Sequence, residues 1–373
     1  MRLLAVNWQD PKNPQAGGAE VHLWENLKRF VEAGHEVTLV CSQFDGGSPQ
    51  ETYDGINVIR KGGRLYFNFV APSMVRKELT RKKYDIILED INKIPFYTPL
   101  YTDIPVLIII PHLFATTVFR EINFVLGSYI YLAEQPIRVL LRKYPYCVIS
   151  ESTKQDLIKR GMSPENIDVV ECGIDHEVYR PDPGVSKYER PTALYLGRVK
   201  KYKGVQHILN AWPKVITKHP DAQLQVVGSG DYLDNLKSLA SSLGISDSVE
   251  FPGFVTEESK VERLRKTHCT VYPSLKEGWG LTNIEANACG TLAIAADSPG
   301  LRDSVSDGVS GLLFPYGDTR KLADTICGVF GDSTYRESLE KGALEWAARF
   351  NWDFSAERML SVIEEVVKKG RPA

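Results

Sequence analysis

Short apolar runs alternate along the chain with longer segments of helical periodicity. Uninterrupted apolar runs are typical of parallel strands buried on both faces, so the pattern predicts an α/β fold with helices between the strands. In the first half, the predicted strands are residues 3–7, 36–41, 56–59, 86–88, 106–110, 147–150 and 168–170. The predicted helices of this half include residues 19–33 and 154–160.

The pattern restarts after residues 179–191, a polar stretch with prolines that has the composition of an interdomain linker. The second set of predicted strands is 192–196, 223–227, 249–252, 269–272, 292–295 and 311–314. Amphipathic segments at 205–219 and 233–243 predict covering helices, and residues 354–369 predict a last helix. Because no sequence repeat of fixed period links the two halves, we expect two independent doubly wound domains.

The length of 373 residues suits two domains better than one hydrophobic core. We place the first Rossmann-like domain at residues 1–182, the second at 183–350 and a C-terminal helical segment at 351–373. The composition, 43% hydrophobic and 25% charged, is that of a globular protein. A net charge of −2 gives the whole molecule no long-range attraction to nucleic acid or anionic lipid, and we exclude nucleic acid as a partner.

The six cysteines are scattered, with no CxxC pair, and indicate reduced thiols in a cytoplasmic protein. The apolar run at the N-terminus is too short for a signal peptide. The longest apolar stretch, residues 104–110, is well short of the length that crosses a bilayer and is typical of a buried strand.

Several loops that follow predicted strands carry residues suited to binding an anion. Gly17 and Gly18 precede the first helix, where a phosphate or sugar could approach the backbone, although a flexible turn explains the pair equally well. No complete GxGxxG motif is present: after Gly228 and Gly230 the third position is Leu233, which disfavours a nicotinamide enzyme.

The clearest signals lie in the second half. Residues 197–204 hold four cations, among which Arg198 and Lys203 suit a diphosphate; the alternative is a solvated basic loop. In residues 274–286, Glu277 and Glu285 flank a glycine-rich turn before a predicted helix. The glycines on both sides of Trp279 favour a ligand site over packing.

At the start of that helix, after Gly280, the amides of Leu281 and Thr282 are free donors that would stabilise a phosphate oxygen. His112 follows the apolar strand 106–110, where the first sheet would open onto a cleft, although a lone histidine there is more often structural. No DxD or HExxH motif is present, so we predict no metal: Arg198, Lys203 and the helix dipole would stabilise a leaving diphosphate instead.

Together these residues resemble the retaining glycosyltransferases of family 4, which have the GT-B fold of two Rossmann-like domains facing a cleft. The resemblance extends over almost the whole chain. It rests on residues 17–20, 148–154, 173–175, 197–204, 228–230 and 277–285.

The resemblance implies a nucleotide diphosphate sugar as donor, bound to the second domain without cofactor or metal. It implies that Glu285 binds the ribose and Glu277 the donor sugar, while Arg198 and Lys203 hold the diphosphate. The remaining implied donor contacts are Gly17, Gly18, Gly228, Gly280, Leu281 and Thr282. His112 resembles the active-site histidine, and His112, Glu277, Arg198 and Lys203 form the expected catalytic set.

The implied reaction retains the anomeric configuration, with the leaving phosphate helping to deprotonate the acceptor hydroxyl. The acceptor is expected on the first domain, onto which the last helix crosses back. Two departures lie beside the donor region: Cys172, where many relatives have Asn, and Asp303, where many have Glu.

The sequence leaves the acceptor open among a glycan, a lipid-linked saccharide and a small molecule. Residues 113–131 are apolar and aromatic, and fit an acceptor wall, a lipid-facing patch or a packed helix pair. A lipid-linked acceptor would bring this cytoplasmic protein to the inner face of the membrane. The alternatives are a sugar-nucleotide epimerase of similar fold and a degenerate subunit that binds nucleotide sugar; the oligomeric state is not encoded in any motif.

Overall fold

The computed structural model describes residues 1–92, 94–113, 117–121 and 124–372, and these form two compact units. One unit comprises Met1–Gly173 with Trp352–Ala373, and the other comprises Ile174–Asn351. Residues 174–182, which the prediction assigns to the first domain, belong to the second unit. The reason is local packing, since Tyr179 contacts Glu257 and Lys260 of that unit.

The first unit contains a sheet with helices on both faces. Its strands are β1 (Arg2–Val6), β2 (Glu36–Cys41), β3 (Gln50–Tyr53), β4 (Ile56–Arg60), β5 (Ile86–Asp90), β6 (Val106–Ile110), β7 (Tyr146–Val148) and β8 (Ile167–Val169). Its first helices are α1 (Gly18–Glu32), α2 (Phe67–Arg81), α3 (Val118–Glu121), α4 (Phe124–Glu134), α5 (Ile137–Leu140) and α6 (Glu151–Lys159).

The second unit has the same architecture. Its strands are β9 (Thr192–Leu196), β10 (Gln223–Val227), β11 (Val249–Gly253), β12 (Cys269–Tyr272), β13 (Leu292–Ala296) and β14 (Gly311–Phe314). Its helices are α7 (Val205–Lys218), α8 (Leu233–Ser242), α9 (Glu257–Lys266), α10 (Leu281–Ala288), α11 (Leu301–Ser304), α12 (Thr319–Gly331) and α13 (Ser333–Ala347). The last helix, α14 (Trp352–Lys369), returns to the first unit and packs against α1.

Strand order explains where loops meet. The first sheet runs β3-β4-β2-β1-β5-β6-β7-β8 and is parallel except for the β3–β4 pair, and the second runs β11-β10-β9-β12-β13-β14 with every pair parallel. In β1, Leu3 and Ala5 face the core that α1 and α14 cover, while Leu4 and Val6 face the core that α2 and α5 cover. This alternation, with apolar residues on both faces, is why the strands read as uninterrupted apolar runs.

Candidate functional site

The predicted donor-binding residues of the second unit follow three strands that are neighbours in its sheet. Arg198 and Lys203 come after β9, Gly228 after β10, and Glu277 and Gly280 after β12. Parallel strands end at one edge of a sheet, so their following loops gather there. The structure therefore brings the second-unit residues of the prediction to one sheet edge.

Lys203 and Glu277 are in direct contact. The Lys203 Nζ donates to both carboxylate oxygens of Glu277, at 2.6 and 2.7 Å. Burial favours the neutral amine, but the Glu277 carboxylate outweighs it and holds the pKa of Lys203 above its ordinary value. The lysine is consequently cationic, and its charge is engaged by the Glu277 carboxylate.

Arg198 is arranged differently. Its backbone oxygen accepts a hydrogen bond from Tyr195 Oη at 2.9 Å, which fixes the main chain. Its side chain is exposed, and the guanidinium makes no hydrogen bond or ion pair with any other residue that the structure describes. Lys200, in the same loop, pairs with Asp231 at 2.6 Å. Arg198 can thus grip a phosphate without first losing a partner.

Helix α10 presents its N-terminus at this edge. Gly280 precedes the helix with φ of 102°, in the left-handed region that favours glycine, and a Cβ at this position would lie 2.6 Å from Ser304 Oγ. The amides of Leu281 and Thr282, the first two residues of α10, have no acceptor inside the helix. They supply donors and the positive end of the helix dipole.

Glu285 lies on α10 in a network that the sequence analysis missed. Its Oε2 is 3.0 Å from Nζ of Lys260 on α9, and this amine also donates to Tyr179 Oη at 2.6 Å. Burial opposes the charge of Lys260, yet the carboxylates of Glu285 and Glu257 raise its pKa above the ordinary value. Nothing in the sequence distinguishes Lys260 from other helix-surface lysines, because two of its partners, Glu285 and Tyr179, are 25 and 81 residues away.

Gly228 is explained by a close approach of two loops. Its φ is 133°, and a Cβ there would meet the Gly197 carbonyl oxygen at 1.9 Å. The glycine lets the loop after β10 lie directly against the loop that carries Arg198.

Trp279, which stands between two glycines, is a buried residue. It is 2% exposed, and its ring packs edge-on against Phe350 with centroids 4.8 Å apart. The aromatic side chain therefore has a packing role, while a ligand role for the glycines on both sides of it stays a prediction. Asp303 is also structural, since its carboxylate accepts the Gly300 N–H at 3.0 Å and caps α11.

In the first unit, Gly17, Gly18 and His112 lie at the carboxyl ends of β1 and β6, with β5 between those strands. The Gly17 N–H donates to Glu20 Oε2 at 2.7 Å, and Gly18 is the first residue of α1. His112 is partly buried two residues after β6. These three positions share a sheet edge, and their roles toward a donor stay predictions.

Among the described residues, no three His, Cys, Asp or Glu side chains cluster closely enough to hold a metal ion. The six cysteines are free and buried.

Two family models match adjacent parts of the chain. Glycosyltransferase Family 4 matches residues 16–178, and Glycosyl transferases group 1 matches residues 181–346. The chain belongs to the family 4 glycosyltransferases. The prediction of a family 4 transferase enzyme with the GT-B fold is confirmed by these matches together with the structural neighbours described below.

Sequence relatives of this family 4 chain are also named as glycosyltransferases, in agreement with the family models. A D-inositol 3-phosphate glycosyltransferase of Frankia alni is 36% identical over 213 residues, which cover 53% of this chain and 52% of the relative. The chain thus spans about half the length of the inositol phosphate enzymes that it matches. An uncharacterised glycosyltransferase of Methanocaldococcus jannaschii is 25% identical over 97% of both chains.

Solved structures show the same GT-B fold. Sucrose-phosphate synthase from Thermosynechococcus elongatus superposes with a TM-score of 0.82 at 20% identity and 99% coverage of both chains. Anabaena HepE in complex with UDP and glucose superposes with a TM-score of 0.77 at 18% identity, covering 98% of this chain and all of that one.

Proposed function

We propose that this family 4 chain transfers a hexose from a nucleoside diphosphate sugar to a hydroxyl acceptor, with retention of configuration and without a metal ion. The observation that carries the proposal is the convergence of Arg198, the Lys203–Glu277 pair and the N-terminus of α10 at one sheet edge. Two cations and two free amides suit a diphosphate, and the carboxylate suits a sugar hydroxyl.

The proposed chemistry places the leaving group on these donors. As the bond from the anomeric carbon to the phosphate oxygen breaks, negative charge grows on the diphosphate, where Arg198, Lys203 and the α10 amides stabilise it. The acceptor oxygen forms the new bond from the same face and its proton passes to the departing phosphate. Glu285, held by Lys260 at 3.0 Å, is the proposed ribose ligand.

HepE structures contain UDP or UDP-glucose, which supports starting with UDP-linked donors before GDP-linked ones. The Frankia relative is named for D-inositol 3-phosphate, so this compound is the first small acceptor to assay beside glycans and lipid-linked saccharides. Gly17, Gly18 and His112 remain proposed contributors from the first unit.

The test begins with nucleotide binding. Because a ligand that binds only the folded chain raises its melting temperature, UDP, GDP and ADP with their hexose conjugates are screened without metal. We expect a shift with one series, and transfer to an acceptor that survives EDTA. Complete loss of transfer on chelation would contradict the metal-free proposal, and interconversion of two nucleotide sugars without an acceptor would establish an epimerase instead.

Site variants then locate the activity. Lys203→Ala and Glu285→Ala are each expected to reduce kcat/KM at least about tenfold, since each removes a charged contact worth on the order of 1.5 to 3 kcal/mol. Lys200→Ala is the matched control, because this lysine of the same loop is engaged by Asp231. Unchanged rates in both site variants would refute the proposed site.

A further inference from the structure

Helices α2, α4 and α5 form one layer on one face of the first sheet. Their inner sides reach a single core through residues such as Phe67, Met74 and Ile137. α2 and α4 are joined directly, since Asn68 Nδ2 donates to Tyr129 Oη at 2.6 Å and the Phe69 and Tyr129 rings stack. We call these three helices, with residues 61–66 before α2 and 141–144 after α5, the outer layer.

The outer layer leaves large apolar side chains in solvent. Its most exposed members are Leu65 (76%), Phe69 (69%), Phe124 (76%), Val125 (77%), Leu132 (65%) and Val139 (72%). Exposed apolar groups in such number mark a surface that meets another apolar medium.

The charge of the outer layer is as unusual as its apolar content. Residues 61–81 hold five Lys and Arg against one acid, and residues 124–144 hold three against one, in a chain whose net charge is −2. Both acids, Glu78 and Glu134, are buried. Among the described side chains of these two stretches, the exposed charges are therefore all positive, and they include Arg76, Lys77, Arg138 and Arg142.

We propose that the outer layer docks on an anionic lipid bilayer. Apolar side chains enter the headgroup boundary, while long Lys and Arg side chains stay at the anionic headgroups beside them. A second copy of the chain fits less well, because a symmetric contact would bring two cationic layers face to face. None of the described helices is long and apolar enough to cross a membrane, so the contact is interfacial. The proposal goes beyond glycosyl transfer and needs no donor or acceptor.

The experiment is flotation of the full chain with lipid vesicles, without nucleotide. Vesicles of phosphatidylcholine alone are compared with vesicles that also contain phosphatidylglycerol. We expect binding to the anionic vesicles that weakens as salt is raised, since exposed charges are screened. Equal binding to neutral vesicles, or binding to neither, would overturn the proposal.

Paired variants separate the two contributions. Arg138→Gln with Arg142→Gln is expected to weaken vesicle binding about fivefold for each cation removed. Leu132→Ser with Val139→Ser is expected to weaken it as well, through lost apolar insertion. The matched controls lie in the second unit. Lys237→Gln with Lys341→Gln removes two exposed charges there, and Phe254→Ser removes an apolar side chain that is 84% exposed. Controls that weaken binding as much as the outer-layer variants would refute the assignment.

Competing occupants give different results. Concentration-dependent dimers in sedimentation that Leu132→Ser with Val139→Ser dissolves, without vesicle binding, would assign the layer to a second copy and reject the lipid. Retention of the chain on an immobilised acidic protein, without flotation, would assign the layer to a protein partner and also reject the lipid. Circular dichroism and the nucleotide-induced melting shift confirm that each variant is folded, and they report on the donor site separately from the membrane.

Discussion

The ammonium group of Lys203 donates hydrogen bonds to both carboxylate oxygens of Glu277, at 2.6 and 2.7 Å. Glu277 and a bound diphosphate would therefore compete for the charge of Lys203. Against the effect of burial, the Glu277 carboxylate raises the pKa of the lysine, and it also occupies the position that a diphosphate oxygen would take.

Glu277→Gln separates these two effects. The amide keeps the side-chain shape but removes the negative charge, so a nucleotide no longer has to displace a carboxylate from Lys203. We expect UDP or GDP binding, measured by calorimetry, to be unchanged or tighter, while kcat/KM for the donor sugar falls at least about tenfold. In Lys203→Met both quantities should fall. Loss of nucleotide binding in Glu277→Gln would contradict this assignment.

His22 on α1 links stability to pH. It is fully buried beside Trp352, and its ring nitrogens have no hydrogen-bond partner among the described residues. Burial lowers the pKa of His22 from 6.5 to about 4. Between those values the unfolded chain binds a proton that the folded chain does not. His22 therefore gives its full stabilising contribution above pH 6.5 and loses it as the pH falls toward 4.

His22→Leu is expected to remove this dependence. The pKa difference corresponds to about 3 kcal/mol across the interval, so the variant's stability should fall less steeply from pH 6.5 to 4 than that of the original chain. Urea unfolding at several pH values measures it. Burial also lowers the pKa of His268 in the second unit to about 4. This histidine is unchanged in His22→Leu, so its contribution to the pH dependence of stability is the same in the variant and in the original chain. Parallel pH curves for the variant and the original chain would refute the effect.

Secondary-structure elements show how far the sequence was informative. Residues 192–196, 223–227, 269–272 and 311–314 are predicted strands and have the same bounds in the structure. Their runs are apolar because both faces of the sheet are covered. The edge strand β3 was missed, because its residues, QETY, form no apolar run. Asp54 and Gly55, both with positive φ, make the tight turn into β4, and this Asp-Gly pair was the signal available.

The candidate site was predictable to the same extent. Residues that follow neighbouring parallel strands meet, which is how Lys203 and Glu277 could be expected together although they are 74 residues apart. The network around Glu285 could not be foreseen. It depends on the rotation of α9 against α10 and on Tyr179 from the polar stretch before β9, and packing sets both.

Lys260→Met tests what that network does for α10. Glu285 would keep its place in the helix but lose the cation 3.0 Å away, so its orientation toward a ribose would no longer be fixed. We expect the KM for the donor to rise about tenfold with a smaller change in kcat, as for a positioning residue. Lys266→Met, on the same helix and paired with Glu262, is the control. A pure stability loss with unchanged KM would show that Lys260 is structural only.

At the scale of the whole molecule, each unit has its own hydrophobic core. α14 completes the first one: Met359, Val362 and Ile363 are buried against α1 and the sheet, although they lie beyond the second unit in sequence. The second core closes within 174–351 and includes the buried Ile326 of α12. The order of segments along the chain therefore differs from their membership in the two cores. A substitution that creates a cavity at α14 should destabilise the N-terminal half of the chain.

Met359→Ala and Ile326→Ala form a matched pair for this expectation. Each deletes a fully buried side chain and should cost about 2 to 5 kcal/mol in its own core. Hydrogen exchange followed by mass spectrometry of the full chain reads the two cores separately. We expect Met359→Ala to accelerate exchange in peptides from β1, β2 and α1, which are more than 300 residues away in sequence. Ile326→Ala should act on β13, β14 and α7 instead. Uniform acceleration throughout the chain in both variants would mean that the two cores unfold as one cooperative body, because only then does a cavity in either core lower the protection of both.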